Sequence, residues 1–427
     1  MTTGRWSAQA VPAGDNRSVT LATIGSWALA VATGLLALGW LWQMAQWLLH
    51  SGSLIDLTKL AAGGLVELPE LTDDRPHLTV IVPACNEAAS IEATLRSLLA
   101  SREIRLQVIA VDDRSTDRTG QIMDEVQHEH AARSVDENGG HTLEVLHIEE
   151  LPRGWLGKPH ALATAAGLGQ ADWILFTDAD VVFAPLAVSL ALRHALAELA
   201  DHLVLMPDWT MGTHGEAAMH GAMHALSAWT MRLWRVADPE ARDFLGVGAF
   251  NLIRRGVYEE LGGFAALRME VLEDLRLGWM LKRAGYRQRI ALGPGLAAVR
   301  WSHGAWGVVR NLEKNLFALY RYRVWLTLLA AFGLLVQIVL PLAALWVGGW
   351  ARIAAIMLYA SVAGVYLASA KITRVSPAYV LLYPLAASLF LFAILRSMTL
   401  ALIRDGVVWR GTRYSLAELR AHAGRFW

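Results

Sequence analysis

Long apolar stretches lie near both ends of the chain and flank a middle region of short apolar runs. Residues 22–49 carry no charged side chain and exceed the roughly 20 residues that span a bilayer. Beyond residue 323, further apolar stretches cover 324–350, 352–370 and 378–403, and Pro341 and Pro384 can kink them. The pattern predicts one N-terminal and about three C-terminal transmembrane helices. A helix buried in a soluble protein is the alternative for residues 22–49, but their length disfavours it.

The middle region alternates short apolar runs with amphipathic stretches, which is typical of βαβ units around a mostly parallel sheet. The predicted strands are Leu78–Val82, Leu106–Val111, Leu143–Ile148 and Trp173–Phe176, and the predicted helices cover 88–100, 117–130 and 158–168. Ser134–His141 is predicted as a surface loop. The expected organisation is a tail over 1–21, a membrane anchor over 22–49, a linker over 50–75, an α/β domain over 76–323, a membrane bundle over 324–403 and a basic tail over 404–427.

The composition agrees with a membrane protein that also carries a complete soluble domain. The 427 residues are 55% hydrophobic, and their mean hydropathy is +0.35. Lys plus Arg and Asp plus Glu both number 38, so no field of one sign attracts nucleic acid, and no nucleic-acid partner is expected. The single cysteine, Cys85, excludes an intrachain disulfide and suits a reducing compartment.

Charges beside the apolar stretches predict the orientation in the membrane. Five cations stand against one acid, Glu313, just before the C-terminal stretches: Arg300, Arg310, Lys314, Arg321 and Arg323. The positive-inside rule places the α/β domain in the cytoplasm, so a multi-pass protein of the cell (inner) membrane is expected. One crossing before the domain and three after it would leave the Arg-rich tail on the far side, against the same rule. Either one stretch does not cross, or the tail is an exception.

Polar clusters follow the predicted strands, at the edge where an open α/β sheet collects its ligands. Pro83–Ala84–Cys85–Asn86–Glu87 follows the first strand and precedes a helix whose amino terminus can face an anion. Asp112–Asp113 follows the second strand, and its carboxylates can accept hydrogen bonds from a base and a ribose. Ser115, Thr116 or Asp117 can cap the next helix, but capping does not explain the adjacent acid pair.

A third cluster, Asp178–Ala179–Asp180, comes shortly after the strand Trp173–Phe176. Two carboxylates at this spacing on an extended chain point the same way and can hold Mg²⁺ or Mn²⁺ together with the diphosphate oxygens of a nucleotide. The ion would neutralise charge on a departing nucleoside diphosphate. An isolated Asp-x-Asp can also be a solvated turn, and the strand before it favours the metal site.

The fourth cluster, Glu273–Asp274, opens a helical stretch that runs to Arg283. The hypothesis is that Asp274 removes a hydroxyl proton while the oxygen attacks an anomeric carbon opposite the leaving group, which inverts the configuration. Glu273 is a supporting residue in this interpretation. The alternative is that both acids only favour the positive end of a helix dipole.

Three further features carry weaker signals. Lys158 precedes a helix of small residues and can reach a donor phosphate or ribose as a point charge, although a surface lysine is the usual alternative. His303, in Trp301–Ser302–His303–Gly304, can contact a diphosphate, but a lone histidine is more often structural or exposed. The Met- and Trp-rich stretch Gly212–Val236 suits either a membrane interface or core packing.

The four clusters, in this order and spacing, resemble the family 2 glycosyltransferases of the GT-A fold over about residues 78–303. The resemblance implies a Rossmann-like, mostly parallel sheet. It also implies that Pro83, Asn86 and Glu87, with Asp112 or Asp113, hold the nucleoside of a nucleotide sugar, for which uridine is usual. Asp178 and Asp180 would then serve the ribose and a divalent metal, with Asp274 as the base.

A narrower similarity extends along the whole chain, to the hopene-associated glycosyltransferases. It rests on Leu151–Lys158, Phe176–Val181, Leu272–Gly278 and the tail Val408–Trp409–Arg410–Gly411–Thr412–Arg413–Tyr414. This resemblance implies a hopanoid or another isoprenoid lipid as acceptor. Processive and ceramide-type relatives carry Gln or Arg, two residues, then Arg-Trp after the base, and neither Asn311–Asn315 nor Arg323–Val324–Trp325 matches, so chain polymerisation is not expected.

The expected function is a metal-dependent, inverting transfer of one hexosyl unit from a nucleotide-sugar donor to a membrane lipid. Synthesis of a polysaccharide or a polyprenyl-phosphate sugar is the enzymatic alternative, because it would use the same donor-site residues. A non-catalytic membrane scaffold that binds nucleotide sugar is the third hypothesis. The complete set of acids argues against a scaffold, which would be expected to have lost Asp274 or an acid of the metal motif.

Overall fold

The computed structural model describes residues 16–60, 76–133 and 140–424. Most of the predicted loop Ser134–His141 therefore lies outside the described residues, as do most of the predicted tail over 1–21 and much of the predicted linker over 50–75.

A central sheet of eight strands forms the middle of the α/β domain. Its spatial order is β1-β10-β7-β9-β5-β2-β3-β4, and only β9 pairs antiparallel within it, with β5 and β7. The strands are β1 (Ile55–Asp56), β2 (Leu78–Ala84), β3 (Leu106–Asp113), β4 (Thr142–Ile148), β5 (Trp173–Phe176), β6 (Val181–Phe183), β7 (His202–Met206), β8 (Asp208–Trp209), β9 (Asn251–Arg254), β10 (Gln288–Leu292), β11 (Ala297–Val299), β12 (Gly406–Trp409) and β13 (Thr412–Ser415). The predicted mostly parallel sheet is confirmed, and the four predicted strands are β2 to β5.

Two smaller sheets complete the strand set in the described residues. Strands β6, β11 and β8 form one, and β12 pairs antiparallel with β13 in a C-terminal hairpin. The helices are α1 (Asn16–His50), α2 (Leu57–Leu60), α3 (Ile91–Leu99), α4 (Thr119–Ala131), α5 (Gly157–Ala166), α6 (Ala187–Ala197), α7 (His214–Ser227), α8 (Arg255–Glu260), α9 (Glu273–Arg283), α10 (Gly304–Leu312), α11 (Asn315–Leu319), α12 (Val324–Val347), α13 (Gly349–Thr373), α14 (Tyr383–Ile403) and α15 (Leu416–His422). Short 3-10 turns cover Ser51–Ser53, Leu233–Arg235, Gly263–Ala265 and Pro377–Leu382.

Strand β2 is buried along its whole length because helices cover both faces of the sheet. Val80 and Val82 pack into a core that includes Leu95 of α3, whereas Ile81 packs into a second core that includes Leu162 of α5. Alternate residues of a strand point to opposite faces, so a strand with apolar layers on both sides reads as a continuous apolar run. This arrangement explains why the runs in the sequence were predictive.

Four helices of the described residues are long and apolar enough to cross a membrane, as predicted: α1, α12, α13 and the stretch Pro377–Ile403 that contains α14. Many of their large apolar side chains are exposed, and Trp346 is 88% exposed. Pro341 lies inside α12, but Pro384 is in the first turn of α14. The predicted stretch 378–403 changes from the 3-10 turn Pro377–Leu382 to α14 immediately before Pro384. Proline is tolerated there because the N–H groups of the first turn have no partner within the helix.

Helix α14 differs from the others because both of its ends contact the α/β domain. Just before its first turn, the Tyr379 hydroxyl lies 2.6 Å from Nδ1 of His214 in α7. Arg396, in the second half of the helix, and Arg404, directly after its end, form ion pairs with Glu313 at 3.1 and 2.9 Å. The helix thus returns the chain to the side of the domain from which it starts.

The Met- and Trp-rich stretch packs against the long apolar helices. In α7, Gly221 faces the ring of Tyr366 in α13, and His224 lies 4.9 Å from the ring of Trp47 in α1. Beyond the helix, Trp229 meets Trp40 edge to face at 5.3 Å. The stretch joins the α/β domain to the long apolar helices, and seven of the fourteen residues of α7 are buried.

Candidate active site

The carboxyl ends of β5, β2 and β3 lie side by side and bring the predicted polar clusters to one edge of the sheet. In the register of β2 with β3, Pro83 pairs with Val111 and Ala84 with Asp112. One residue, Thr177, separates Asp178 from the end of β5. The backbone N–H of Thr177 donates to the carbonyl of Ile81 in β2. Three clusters from separate parts of the sequence therefore share one cleft.

Lys158 joins the third and fourth clusters. It lies in the first turn of α5, and its Nζ is 2.6 Å from Asp178 Oδ1 and 2.7 Å from Glu273 Oε1. Burial by itself lowers the pKa of this lysine, but the two carboxylates outweigh burial and raise the pKa above its usual range. Lys158 is therefore a largely buried, charged link between the Asp-x-Asp motif and α9, with a side chain only 12% exposed, rather than the exposed lysine of the alternative interpretation.

Asp274 lies close to Asp178 across a glycine. The backbone N–H of Gly248 donates to Asp274 Oδ2 at 2.7 Å. A Cβ on Gly248 would come within 2.6 Å of Asp178 Oδ2 and 3.1 Å of Lys158 Nζ. Burial and the neighbouring Glu273 carboxylate raise the pKa of Asp274 to about 6, a value at which the carboxylate can accept a proton near neutral pH.

The carboxylates of Asp178, Asp180 and Glu87 lie close enough to one another to affect their pKa values. Burial, Asp178 and Glu87 raise the pKa of Asp180 to about 7. Within the described ranges, no three His, Cys, Asp or Glu side chains are arranged to hold a metal ion by themselves. Magnesium is commonly bound by one or two carboxylates together with substrate phosphates. The donor set here, in which like charges repel one another, is chemically suited to that kind of site.

The adjacent acids of the second cluster have different surroundings. Asp113 is fully buried between two guanidinium groups, with Arg114 Nε at 2.8 Å and Arg410 Nη1 at 3.2 Å. Asp112 instead accepts from the backbone N–H of Ser115 at 3.1 Å and contacts His147 at 3.2 Å. Asp112 therefore shapes the loop after β3, and Asp113 belongs to the cleft.

The first cluster is tied to the same loop. Asn86 donates its backbone N–H to Ser115 Oγ at 3.0 Å and accepts from the backbone N–H of Thr116 at 2.8 Å. Glu87 accepts from the Ser90 hydroxyl at 3.1 Å, and burial raises its pKa. Asn86 thus holds two loops in register, while the Glu87 carboxylate lies close enough to Asp180 to affect its pKa.

His303 stays an untested prediction, and several residues that were not predicted belong to the cleft. His303 is exposed immediately before α10, and it follows β11, in which Val299 pairs with Val181, the residue after Asp180. The unpredicted residues are Gly248, Arg114, Lys314, Trp409 and Arg410. Lys314 Nζ lies 4.2 Å from the ring centroid of Trp409. The sequence had marked Trp409 and Arg410 through the tail motif Val408–Tyr414, and Lys314 through the basic collar, but it suggested no role for them in this site.

Residues 79–275, which contain all four clusters, match glycosyl transferase family 2. Residues 79–275 are called the family 2 domain after this match. The match accounts for the sheet from β2 through β9 and for the start of α9, where Glu273 and Asp274 lie. It ends before α10, so Lys314 and the C-terminal hairpin lie outside the matched region of the family 2 domain.

Two curated relatives match parts of the chain. The 4,4'-diaponeurosporenoate glycosyltransferase of Staphylococcus haemolyticus (strain JCSC1435) is 32% identical over 104 residues, 24% of this chain and 24% of the relative. The protein called "Probable glycosyltransferase YdaM" of Bacillus subtilis (strain 168) is 26% identical over 243 residues, 53% of this chain and 50% of the relative. The chain therefore spans about a quarter of the length of the first relative and about half of the length of the second.

A solved structure with the same fold covers most of the chain. The mannosyltransferase PcManGT from Pyrobaculum calidifontis, in complex with GDP-Man and Mn²⁺, aligns with a TM-score of 0.50 at 20% identity, over 88% of this chain and 98% of that chain. Together with the sheet topology, this likeness identifies the fold of the family 2 domain as GT-A.

Proposed function

We propose that this chain is an inverting glycosyltransferase that moves a sugar from a nucleotide-sugar donor to a lipid acceptor at the membrane surface. The proposal rests mainly on one observation: Gly248 and Lys158 link Asp274 and Glu273 to Asp178 within a single cleft. The family 2 domain supports the same reaction class.

In the proposed mechanism, the oxygen of the acceptor hydroxyl attacks the anomeric carbon of the donor sugar. Asp274 accepts the proton of that hydroxyl at the same time. The Gly248 N–H orients the carboxylate by its bond to Oδ2, and the Leu275 N–H binds Oδ1 at 2.7 Å. Attack opposite the departing diphosphate inverts the anomeric configuration. Lys158 places a fixed positive charge beside Asp178, where charge develops on the leaving group, and such preorganised charge lowers the barrier.

A divalent metal, Mg²⁺ or Mn²⁺, would be held by Asp178 and Asp180 together with the donor's diphosphate oxygens. When bound, the ion would neutralise charge on the departing nucleoside diphosphate. Asp113, with the backbone of Pro83 and the loop around Asn86 and Glu87, would hold the nucleoside. Uridine is the nucleoside suggested by the family resemblance, and the GDP-Man complex of the Pyrobaculum calidifontis structure makes a GDP-sugar the first alternative to assay.

The apolar helices support a membrane acceptor and a definite topology. Because Arg410 of the tail contacts Asp113, the tail lies on the same side as the catalytic cleft, and the chain between residues 323 and 404 crosses the membrane an even number of times. We assign the crossings to α12 and α13 and place α14 along the membrane surface, where both of its ends contact the domain. The Arg-rich collar and tail then share the cytoplasmic side, as the positive-inside rule favours.

An isoprenoid lipid, such as a hopanoid, is the proposed acceptor. The resemblance to the hopene-associated glycosyltransferases supports it, and so does the name of the staphylococcal relative, which specifies 4,4'-diaponeurosporenoate. Helices α10 and α11 pack against α14, so the wall of the cleft that carries Lys314 is adjacent to the proposed membrane surface.

The test is transfer of label from UDP- and GDP-sugars to membranes that contain the wild-type protein or the Asp274→Asn variant. We expect organic-phase product from the wild type and its loss in Asp274→Asn, with nucleotide affinity retained, because the amide cannot accept the proton. Asp172→Asn changes an exposed acid outside the cleft and is the matched control.

Other results of this transfer assay would favour the alternative functions. Product that remains in the aqueous phase as polymer would instead support a polysaccharide synthase. Nucleotide binding without transfer to any membrane component would support the scaffold hypothesis. Normal turnover by Asp274→Asn would refute the assigned base.

A further inference from the structure

The C-terminal hairpin, β12 and β13 with their connecting turn, reaches back into the cleft. Its turn consists of Arg410 and Gly411, with φ of 49° and 73°. Two-residue hairpin turns of type I′ require positive φ at both positions, which suits glycine. Arginine in this conformation is uncommon and costs energy. The arginine therefore stands at the hairpin tip despite a backbone geometry that disfavours it.

Contacts of β13 hold the hairpin against the domain. The Tyr414 hydroxyl accepts from the backbone N–H of Gly157, the first residue of α5, at 3.2 Å. Thr412 Oγ1 accepts from Arg114 Nη1 at 3.1 Å. Tyr414 is buried, so the hairpin is packed into the domain beside the residue that precedes Lys158.

At the tip, the Arg410 guanidinium lies among the donor-site acids. Nη1 is 3.2 Å from Asp113 Oδ2, and Nη2 donates to the Pro83 carbonyl at 3.2 Å. Its side chain is only 14% exposed. The charge of Arg410 also acts on Glu87 and Asp178. Arginine has five N–H donors in a rigid fork, and these two contacts occupy two of them.

The arrangement at Asp113 indicates what the remaining donors of Arg410 are for. Arg114 already pairs with Asp113 at 2.8 Å, so Asp113 has a cationic partner besides Arg410. The Arg410 guanidinium therefore has N–H donors beyond those used at Asp113 and Pro83, and they lie among the residues proposed to hold the donor. The anion that a nucleotide sugar brings is its diphosphate, which a planar guanidinium recognises through paired hydrogen bonds.

From this geometry we infer that Arg410 is a donor-binding residue whose guanidinium contacts the diphosphate of the nucleotide sugar. The inference rests on the proposed function. The inference adds a residue that contacts the nucleotide sugar from outside the family 2 domain. This residue lies on the segment that follows all the long apolar helices. A purely structural role, in which Arg410 only ties the tail to Asp113, is the competing explanation.

The test compares Arg410→Ala and Arg410→Lys with Arg413→Ala in the full-length protein in lipid nanodiscs. Arg413 is on the same hairpin and exposed, and it donates to the backbone carbonyls of Arg404 and Asp405, at 3.0 and 3.1 Å. Affinities for UDP and uridine, and for GDP and guanosine, are measured by calorimetry. The donor KM and kcat of each variant are then compared with the wild-type values, to show whether the substitution changes mainly KM or mainly kcat.

We expect Arg410→Ala to weaken diphosphate binding about ten- to one-hundred-fold, the effect of losing a charge-assisted hydrogen bond, and to raise the donor KM. Affinity for the nucleoside should fall much less, because Arg114 still pairs with Asp113. Arg410→Lys should fall between wild type and alanine, because it keeps the charge without the fork. Arg413→Ala should stay within about twofold of wild type.

Two outcomes would overturn the inference while leaving the proposed function in place. Wild-type affinity for the diphosphate in Arg410→Ala would exclude the contact, and equal losses for nucleoside and diphosphate would show that Arg410 acts only through Asp113. If Arg410→Ala does not yield monodisperse protein, Arg410→Gln replaces it under the same criteria. Failure of the wild type to bind any nucleotide would refute the proposed function as well.

Discussion

At the scale of single residues, Asp178 and Asp274 are given different properties although both face Gly248. Burial raises the pKa of each carboxyl group, but at Asp178 the ammonium of Lys158 outweighs burial and lowers the pKa. At Asp274, Glu273 adds to burial, and the pKa rises to about 6. Neighbouring acids whose environments push their pKa values apart are suited to separate roles. Asp178 is suited to remain ionised beside a metal and Asp274 to exchange a proton.

The pH dependence of activity follows from this difference. The proposed base works only as a carboxylate, so protonation of Asp274 should make kcat/KM fall about tenfold per unit as pH drops below about 6. Glu273 and Asp178 raise the pKa of Asp274 and Lys158 lowers it. Glu273→Gln removes one negative neighbour and should move the fall of kcat/KM, the acidic limb of the profile, to lower pH.

Initial rates measured from pH 4.5 to 8 test this shift of the acidic limb, with Glu259→Gln, a change of an exposed acid, as control. An acidic limb that stays in place would exclude Asp274 as its source.

At the scale of elements, the close approach of α9 to the loop before β9 positions Asp274. Gly278 of α9 faces the carbonyl of Leu245, and Gly246 faces the carbonyl of Asp274. In both cases a Cβ would overlap the backbone. The absence of side chains therefore lets the helix bring its first turn next to Gly248.

Gly278→Ala should consequently reduce both activity and stability. The added methyl meets backbone that cannot turn aside, and overpacking of this kind typically costs about 1–3 kcal/mol. Gly256→Ala, in α8, has open space at its Cβ and should be neutral or slightly stabilising, because alanine favours helix. Thermal melting and transfer rates of the two variants check this. Equal behaviour of the pair would show that the approach of α9 is not tightly constrained.

The sequence was most informative where side chains carry the signal. The runs that became β2 to β5 were recognisable because both faces of the sheet are covered, and the acids were recognisable because they follow those strands. The role of Gly248 was not predictable, since it acts through a backbone N–H and through the side chain it lacks. Burial of Asp113 between two arginines was not predictable either, because one partner lies 297 residues away in the sequence.

At the scale of the whole molecule, the cleft is assembled by segments that the membrane helices separate. The family 2 domain contributes the acids, the α10–α11 junction contributes Lys314, and the C-terminal hairpin contributes Trp409 and Arg410. Hydropathy alone left the side of the tail undecided, because α14 has the composition of a membrane span. The contacts at its two ends, which hydropathy does not report, distinguish it from α12 and α13.

Cysteine labelling tests this topology, because Cys85 is buried and the wild type supplies a low background. Ala93→Cys on α3 and Ala417→Cys on α15 change exposed positions, and Trp346→Cys lies near the end of α12. In sealed vesicles, a membrane-impermeant maleimide should label the first two from one side and Trp346→Cys only from the other. The ion pairs of Glu313 with Arg404 and of Asp113 with Arg410 place residues 93 and 417 on one side, and the proposed crossing by α12 places residue 346 on the other. If residue 417 labelled together with residue 346, α14 would cross the bilayer, and Arg410 could not reach the nucleotide cleft.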